Sequence, residues 1–288
     1  MDYRQEMQKL SNIVNKHITP FTKKQTNELD FFKTGQLFSP RGNNVTDIFF
    51  EIFNTKASIQ KCVPQSLFHY KKYDFAYQFV EGDYVTASAL SNFTDETKKE
   101  DVKEYEHFFE VANIGTDKSY IDNQKDNYYI FCLTNDNCTE RFWKEYADDS
   151  KGLCLELEII YKKSNFLYDL NRICYDNGIE FQFFADMQNE IHTTLGKYLL
   201  VNGLAKFGAL YKRTKFDWER ETRLLLHENN VNNMFEVSEN NNKKYMTIPF
   251  ENQLFSVNLK SVTLGKNLTN YQRIEIEDLL KKKNIKLR

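Results

Sequence analysis

The sequence predicts an α+β protein, a mixed sheet with flanking helices behind a mainly helical N-terminal segment. Three observations carry this. Apolar residues recur at helical spacing in some stretches and at alternate positions in others, which separates helices from half-buried strands. The two kinds follow one another without a regular strand-helix repeat, which argues against a doubly wound parallel sheet. Of the 288 residues 41% are hydrophobic, with 24 Phe and 17 Tyr, so the chain can bury a sizeable, aromatic-rich core.

Residues 1 to about 62 form the helical opening. Met7, Leu10, Ile13 and Val14 lie at helical spacing, as do Ile48, Phe49, Ile52 and Phe53, and Thr46 is the expected cap of that second helix. Pro64 then interrupts, and a second domain over residues 63–288 is expected. SLFHY predicts its first strand, Asp74 to Val80 a short helix, Gly82 a turn and DYVTASAL a second strand. The stretch DETKKEDVKEYEHFFE, rich in Lys and Glu, predicts a solvated helix. NYYIFCLT is a strand by its aromatic and β-branched content. TERFWKEYA is a helix capped by Thr139, with Phe142, Trp143 and Tyr146 on its apolar face. In GLCLELEII, Leu153, Leu155, Leu157 and Ile159 share one strand parity while Cys154, Glu156 and Glu158 share the other. After FLYDL and RICYD comes a long helical segment from about Gly178 to Tyr211, in which Gly196, Gly203 and Gly208 mark close packing or a break. SVNLKSVTLG predicts a strand, and TNYQRIEIEDLLKKKN a helix capped by Thr269 or Asn270.

Several function classes are disfavoured at once. A formal net charge of −2 gives no global attraction to duplex nucleic acid. No apolar run approaches the ~18 residues a spanning helix needs, and MDYRQEMQKL lacks the layout of a secretory signal, so a cytoplasmic protein without membrane attachment is expected. Cys62, Cys132, Cys138, Cys154 and Cys174 are scattered and never spaced CxxC, which implies reduced, mostly buried thiols and no metal site. No GxGxxG or GxxxxGK(S/T) loop occurs, so any nucleotide is held without a glycine-rich phosphate cradle.

The most chemically pointed stretch is FDWERETRLLL. Read as a strand, it puts Asp217, Glu219, Glu221 and Arg223 on one face and packs Trp218, Thr222 and Leu224 inward. Adjacent carboxylates repel and are costly to bury unpaired, so such a face is either solvated or holds a polar ligand. His69 and Tyr70, adjacent in SLFHY, must face opposite ways, so only one of them can enter a cleft. A lone strand histidine is ordinarily a core or rim residue, and Trp143 and Tyr146, three apart on a helix, have the spacing of a packing stripe. His17, His107, His192 and His227 read as incidental.

Over about residues 66 to 288 the chain resembles a bacterial family long labelled a domain of unknown function. The resemblance rests on LFHY, YYIFCLT, W-x-x-Y-A at Trp143 to Ala147 followed by Gly152, RICYD, the E-x-E-x-R of Glu219, Glu221 and Arg223, and SVTLG. That family is similar to the ADP-ribosyltransferase fold, a split β-sandwich that holds an extended NAD, in its His-Tyr-Glu branch. The resemblance implies an α+β fold of that kind and NAD as substrate. It matches His69 to the histidine that contacts a ribose hydroxyl and Glu221 to the catalytic glutamate, with Glu219 as the upstream member of the pair. Tyr70, Trp143, Tyr146 and Arg223 complete the implied cofactor-binding set, Tyr146 or Trp143 supplying the stacking face for nicotinamide. Two places depart from the family pattern. Lys71 stands where Thr or Ser usually follows HY, and SNFTDE keeps Asn92, Asp95 and Glu96 but lacks a proline.

The residue types suit that chemistry. Cleaving the bond to nicotinamide leaves an oxocarbenium-like ribose, which a fixed carboxylate stabilises. A second carboxylate can position or deprotonate an acceptor, and an arginine can meet a pyrophosphate oxygen. The first reading is therefore an ADP-ribosyltransferase acting on a protein or single-stranded nucleic-acid acceptor. Transferases of this kind often serve as toxins with a paired antitoxin or regulatory protein, or in phage defence. A non-catalytic sensor or interaction domain on the same scaffold is the second reading, and a Mg²⁺-dependent hydrolase using Glu219 and Glu221 the third.

Overall fold

A computed structural model describes residues 2–35, 37–56, 66–94, 100–112, 118–136, 139–162, 167–201, 203–231 and 233–288. Cys62, Pro64, Asp95, Glu96, Cys138 and the expected 62/63 boundary lie outside these. The protein is mixed α+β. Its compact grouping differs from an extension followed by a domain: one unit gathers Met1–Gln60, Phe93–Asp126 and Ile173–Asp217, the other Lys61–Asn92, Asn127–Arg172 and Trp218–Arg288. Periodicity along the chain does not give this grouping, because it depends on which distant apolar faces meet.

The first unit is mainly helical and packs on phenylalanine. Phe53, on the helix Asn44–Lys56, lies 5.3 Å from Phe181, 5.5 Å from Phe184 and 4.8 Å from Phe207, ring centre to ring centre. That helix begins at Asn44, so Thr46 belongs to its first turn and is not its cap. The helix Tyr3–Ile18 packs on Gln182–Leu195. The helix Glu100–Val111 is not solvated as expected: Tyr105, Phe108 and Phe109 are buried, and so is Glu104, which accepts bonds from the Arg213 backbone and guanidinium at 2.9 Å. The long helix expected from Gly178 to Tyr211 is broken. Gly196 ends Gln182–Leu195 at φ 65°, and Gly203 opens Leu204–Ala209 at φ 81°, left-handed conformations that favour glycine.

The second unit is built on a ten-stranded, almost wholly antiparallel sheet. Tyr128–Thr134 is its hub. Along one edge it pairs fully with Glu221–His227, which pairs in turn with Tyr168–Arg172. Its other edge is shared: Tyr129 and Ile130 pair with Ala89 and Ser88 of Tyr84–Ala89, whereas Thr134 pairs with Phe68 of Ser66–Lys72. The sheet therefore forks there. One wing runs from Tyr84–Ala89 through Lys243–Pro249 to Glu236–Asn240, and the other from Ser66–Lys72 through Gly152–Tyr161 to Phe255–Leu264. A single apolar core takes Val85, Ala87, Met246 and Ile248 from the first wing and Leu67, Leu153, Leu155, Leu157 and Val257 from the second. The helices Tyr73–Gly82 and Asn270–Lys282 add Phe79, Val80, Ile276 and Leu280 to it. Thr269 caps the latter, accepting from the Gln272 amide at 3.2 Å.

Sequence periodicity passes over one hairpin. Glu236–Asn240 and Lys243–Pro249 are joined by Asn241 and Asn242 at φ 51° and 59°, the doubly left-handed turn that asparagine tolerates.

Candidate functional site

Register decides which of the expected residues share a face. Paired residues of neighbouring antiparallel strands point to the same side. Phe68 pairs with Thr134, and Thr134 with Glu221, so Phe68, Tyr70, Thr134, Glu221 and Arg223 share one face. His69 and Leu67 share the other, with Phe131 and Leu224. Of the adjacent pair in SLFHY, Tyr70 is thus the one on the carboxylate face, and His69 points into the main core.

The environment of His69 agrees. Its ring centre lies 4.5 Å from Phe131 and 6.1 Å from Phe79. Nδ1 donates to the Cys132 carbonyl at 2.8 Å, which leaves Nε2 a buried acceptor with no partner among the described residues. Burial, and then the nearby Lys71 charge, push its pKa down to about 3, so the imidazole is neutral at pH 7.

The strand expected from Asp217 onward begins only at Glu221. Thr214–Glu219 is a 3₁₀ turn and Arg220 takes φ 42°, so the alternating parity fails before the strand starts. Asp217 is exposed and does not share the face of Glu221. Glu219 still joins the site by another route. Thr134 Oγ1 donates to the Glu219 carbonyl at 2.8 Å and accepts the Asp136 amide at 3.0 Å, and this fixes the segment against the end of the hub strand.

Two carboxylates are then held in different ways. Glu221, 5% exposed, accepts Arg223 Nε at 2.7 Å and a second guanidinium nitrogen at 3.3 Å, and Arg223 is 1% exposed. This is a forked pair within one strand, burying opposite charges together. Glu219, also 5% exposed, accepts the Tyr146 hydroxyl at 2.7 Å.

Around Tyr146 lies a cluster of aromatic rings separate from the main core. Tyr70 stacks on Phe142 at 5.1 Å and meets Trp143 edge-on at 5.2 Å. Trp218 lies 5.2 Å from Phe142 and 6.4 Å from Tyr146. The Arg141 guanidinium covers Trp218, 3.5 Å from the ring centre, and the Trp218 indole N–H has no hydrogen-bond partner among the described residues. The structure therefore gathers Tyr70, Trp143, Tyr146, Glu219, Glu221 and Arg223 on one side, and leaves His69 on the other. Trp218 and Arg141 join the site without having been singled out for it; an aromatic directly ahead of an acidic pair is the sequence signal for Trp218.

The W-x-x-Y-A…G pattern has a backbone explanation. Asp148, Asp149 and Ser150 take φ 50°, 53° and 65°, turning the chain sharply between helix and strand. The Ser150 amide returns to the Trp143 carbonyl at 3.0 Å. A Cβ at Gly152 would lie 2.1 Å from the Lys71 carbonyl, and one at Gly265, in SVTLG, 2.1 Å from the Ser150 carbonyl. Those glycines let three backbones meet behind Tyr70. Thr139 starts the short helix Glu140–Glu145 without a side-chain capping bond.

Among the described residues no group of three or more His, Cys, Asp or Glu is arranged to hold a metal ion, Cys174 is a free thiol, and no helix is long and apolar enough to cross a membrane. No protein-family model matches the chain, and no curated protein or solved structure matches it.

Proposed function

We propose that the second unit is an NAD-dependent ADP-ribosyltransferase related to the His-Tyr-Glu branch, working on the Tyr70 and Glu221 face. The observation that carries the reading is the Glu219–Tyr146 hydrogen bond of 2.7 Å, set beside the Trp218, Trp143 and Tyr70 rings and next to the Glu221–Arg223 pair. The forked sheet with one core between its wings also supports it.

In this reading an aromatic face of Tyr146, Trp143 or Trp218 receives nicotinamide at low entropic cost. The bond between ribose and nicotinamide breaks, the pair of electrons leaves with nicotinamide, and Glu221, oriented by Arg223, stabilises the positive charge left on the sugar. Glu219, aimed by Tyr146, takes the proton of the acceptor as that acceptor bonds to the ribose carbon. His69 takes no part, since its ring lies in the core. The acceptor is a protein or single-stranded nucleic acid, in the setting of a toxin with its antitoxin or of phage defence.

A second reading, a non-catalytic interaction domain, is favoured by one observation: both Glu221 oxygens are already engaged by Arg223, as in a structural ion pair. Labelled NAD incubated with the protein and a crude lysate of protein and RNA separates the two. Transfer of label that Glu221→Gln abolishes supports the transferase. Undiminished transfer by Glu221→Gln removes its catalytic assignment, and absent transfer together with no heat of NAD binding favours the interaction domain.

A further inference from the structure

Two buried polar atoms beside the aromatic cluster have no partner among the described residues: the Trp218 indole N–H and the Thr139 hydroxyl. Each costs free energy as it stands, and an orphaned buried group calls for a reason. The two share Phe142 as a neighbour. Its ring centre lies 5.2 Å from that of Trp218, and its amide donates to the Thr139 carbonyl at 3.1 Å. Together they offer one obligate donor and one hydroxyl that can accept as well as donate. A primary carboxamide carries the matching set, a carbonyl oxygen that accepts and an NH₂ that donates.

The surrounding rings say where the rest of such a ligand lies. Tyr146, 37% exposed, is the most open ring of the cluster, whereas Tyr70 is buried and Arg141 lies over one face of Trp218, 3.5 Å from its centre. Tyr146 is 6.4 Å from Trp218 and tilted 33° to it, so a flat ring resting on Tyr146 can direct a substituent toward Trp218. Arg141 is the movable part of this arrangement. Its side chain is 55% exposed and is tied to Glu145, one turn along the same short helix, by an exposed pair at 2.7 Å, which is a weak restraint.

We infer that Trp218 and Thr139 form the subsite for the nicotinamide carboxamide, with the pyridine ring on Tyr146. The inference rests on the NAD reading and goes beyond it, because it selects Tyr146 as the stacking face and gives Trp218 a polar duty. As the ligand settles, Arg141 swings outward, Trp218 Nε1 donates to the carboxamide oxygen, and the carboxamide NH₂ donates to Thr139 Oγ1. A pyridine without the carboxamide finds the stacking face but leaves both orphans unmatched, so the two residues set specificity.

The test uses the full chain labelled with ¹⁵N at tryptophan, which has two indole N–H signals, from Trp143 and Trp218. Trp143→Phe assigns them. Nicotinamide and 3-methylpyridine are titrated separately. Nicotinamide is expected to move the Trp218 signal and saturate it with a Kd of about 1 mM, and 3-methylpyridine to bind at least about tenfold more weakly. Trp218→Phe and Thr139→Val each remove the polar atom while keeping most of the packing. Each is expected to weaken nicotinamide at least about fivefold, to raise KM for NAD to match, and to leave 3-methylpyridine unchanged, which reports an intact stacking face. A Trp218 signal unmoved by nicotinamide, equal affinity for the two pyridines, or a nicotinamide Kd unchanged in Trp218→Phe overturns the subsite. Nicotinamide release from NAD by the same preparation then separates the two levels: release that continues leaves the NAD reading standing without this subsite, and its absence removes both.

Discussion

Across 73 residues of chain, the Tyr146 hydroxyl donates to the Glu219 carboxylate at 2.7 Å, and this bond ties the short helix behind the hub strand to the turn ahead of Glu221. Tyr146 is 37% exposed and Glu219 is buried, so the bond links a solvent-facing ring to an interior charge. Removing the hydroxyl takes one donor from that carboxylate. Tyr146→Phe is expected to cost about 1–3 kcal/mol of stability and, in the transferase reading, tenfold or more in nicotinamide release. Urea denaturation and a release assay on the same preparation check both; a variant unchanged in each removes Glu219 from the site.

The Glu221–Arg223 pair has a different signature. Arg223→Met removes the forked guanidinium from a buried carboxylate and is expected to cost about 3–5 kcal/mol, whereas exchanging both residues for methionine restores most of the stability. Equilibrium unfolding of the two variants beside the wild type measures this. A single variant that loses less than about 1 kcal/mol would mean that water screens the pair.

His69 makes stability depend on pH in a defined direction. Its folded pKa of about 3 lies below the unfolded value of 6.5, so the unfolded chain binds a proton first as pH falls. The contribution is nil above pH 6.5 and turns against the folded state through the window down to about 3. Between pH 7 and pH 5 it amounts to about 2 kcal/mol. His69→Phe, which fits the same aromatic surroundings, is expected to lose that part of the acid sensitivity. Identical pH dependence in both proteins contradicts the buried neutral imidazole.

Glycines rank by what surrounds them. Gly152→Ala and Gly265→Ala drive a Cβ to 2.1 Å from a backbone carbonyl and are expected to cost about 3 kcal/mol or more. Gly196→Ala meets nothing within 4 Å and carries only its positive φ, a cost of about 1–2 kcal/mol. Thermal unfolding of the three orders them, and the reverse order would contradict the close approach behind Tyr70.

How much of this was legible depends on range. Alternation in Gly152–Tyr161 and the aromatic and β-branched content of Tyr128–Thr134 are local signals and identify both strands, and the capping of Asn270–Lys282 by Thr269 is equally local. Alternation misled at FDWERE, where Arg220 at φ 42° breaks a parity that residue types alone support. The choice between His69 and Tyr70 required the register with Thr134, a pairing over more than sixty residues. The unit that joins Phe53 to Phe181 and Phe207 was illegible for the same reason, since phenylalanine spacing marks a buried face but not its partner. The candidate site was half visible: Glu219, Glu221, Arg223, Tyr70, Trp143 and Tyr146 do converge, while Asp217 and His69 do not.

The most direct measurement is nicotinamide release from NAD by the purified protein, run beside Glu221→Gln, Glu219→Gln and His69→Phe. Release is expected to fall at least a hundredfold in Glu221→Gln, to fall in Glu219→Gln when an acceptor is present, and to persist in His69→Phe. Release that disappears in His69→Phe while surviving in Glu221→Gln would contradict the site built on the Tyr70 and Glu221 face.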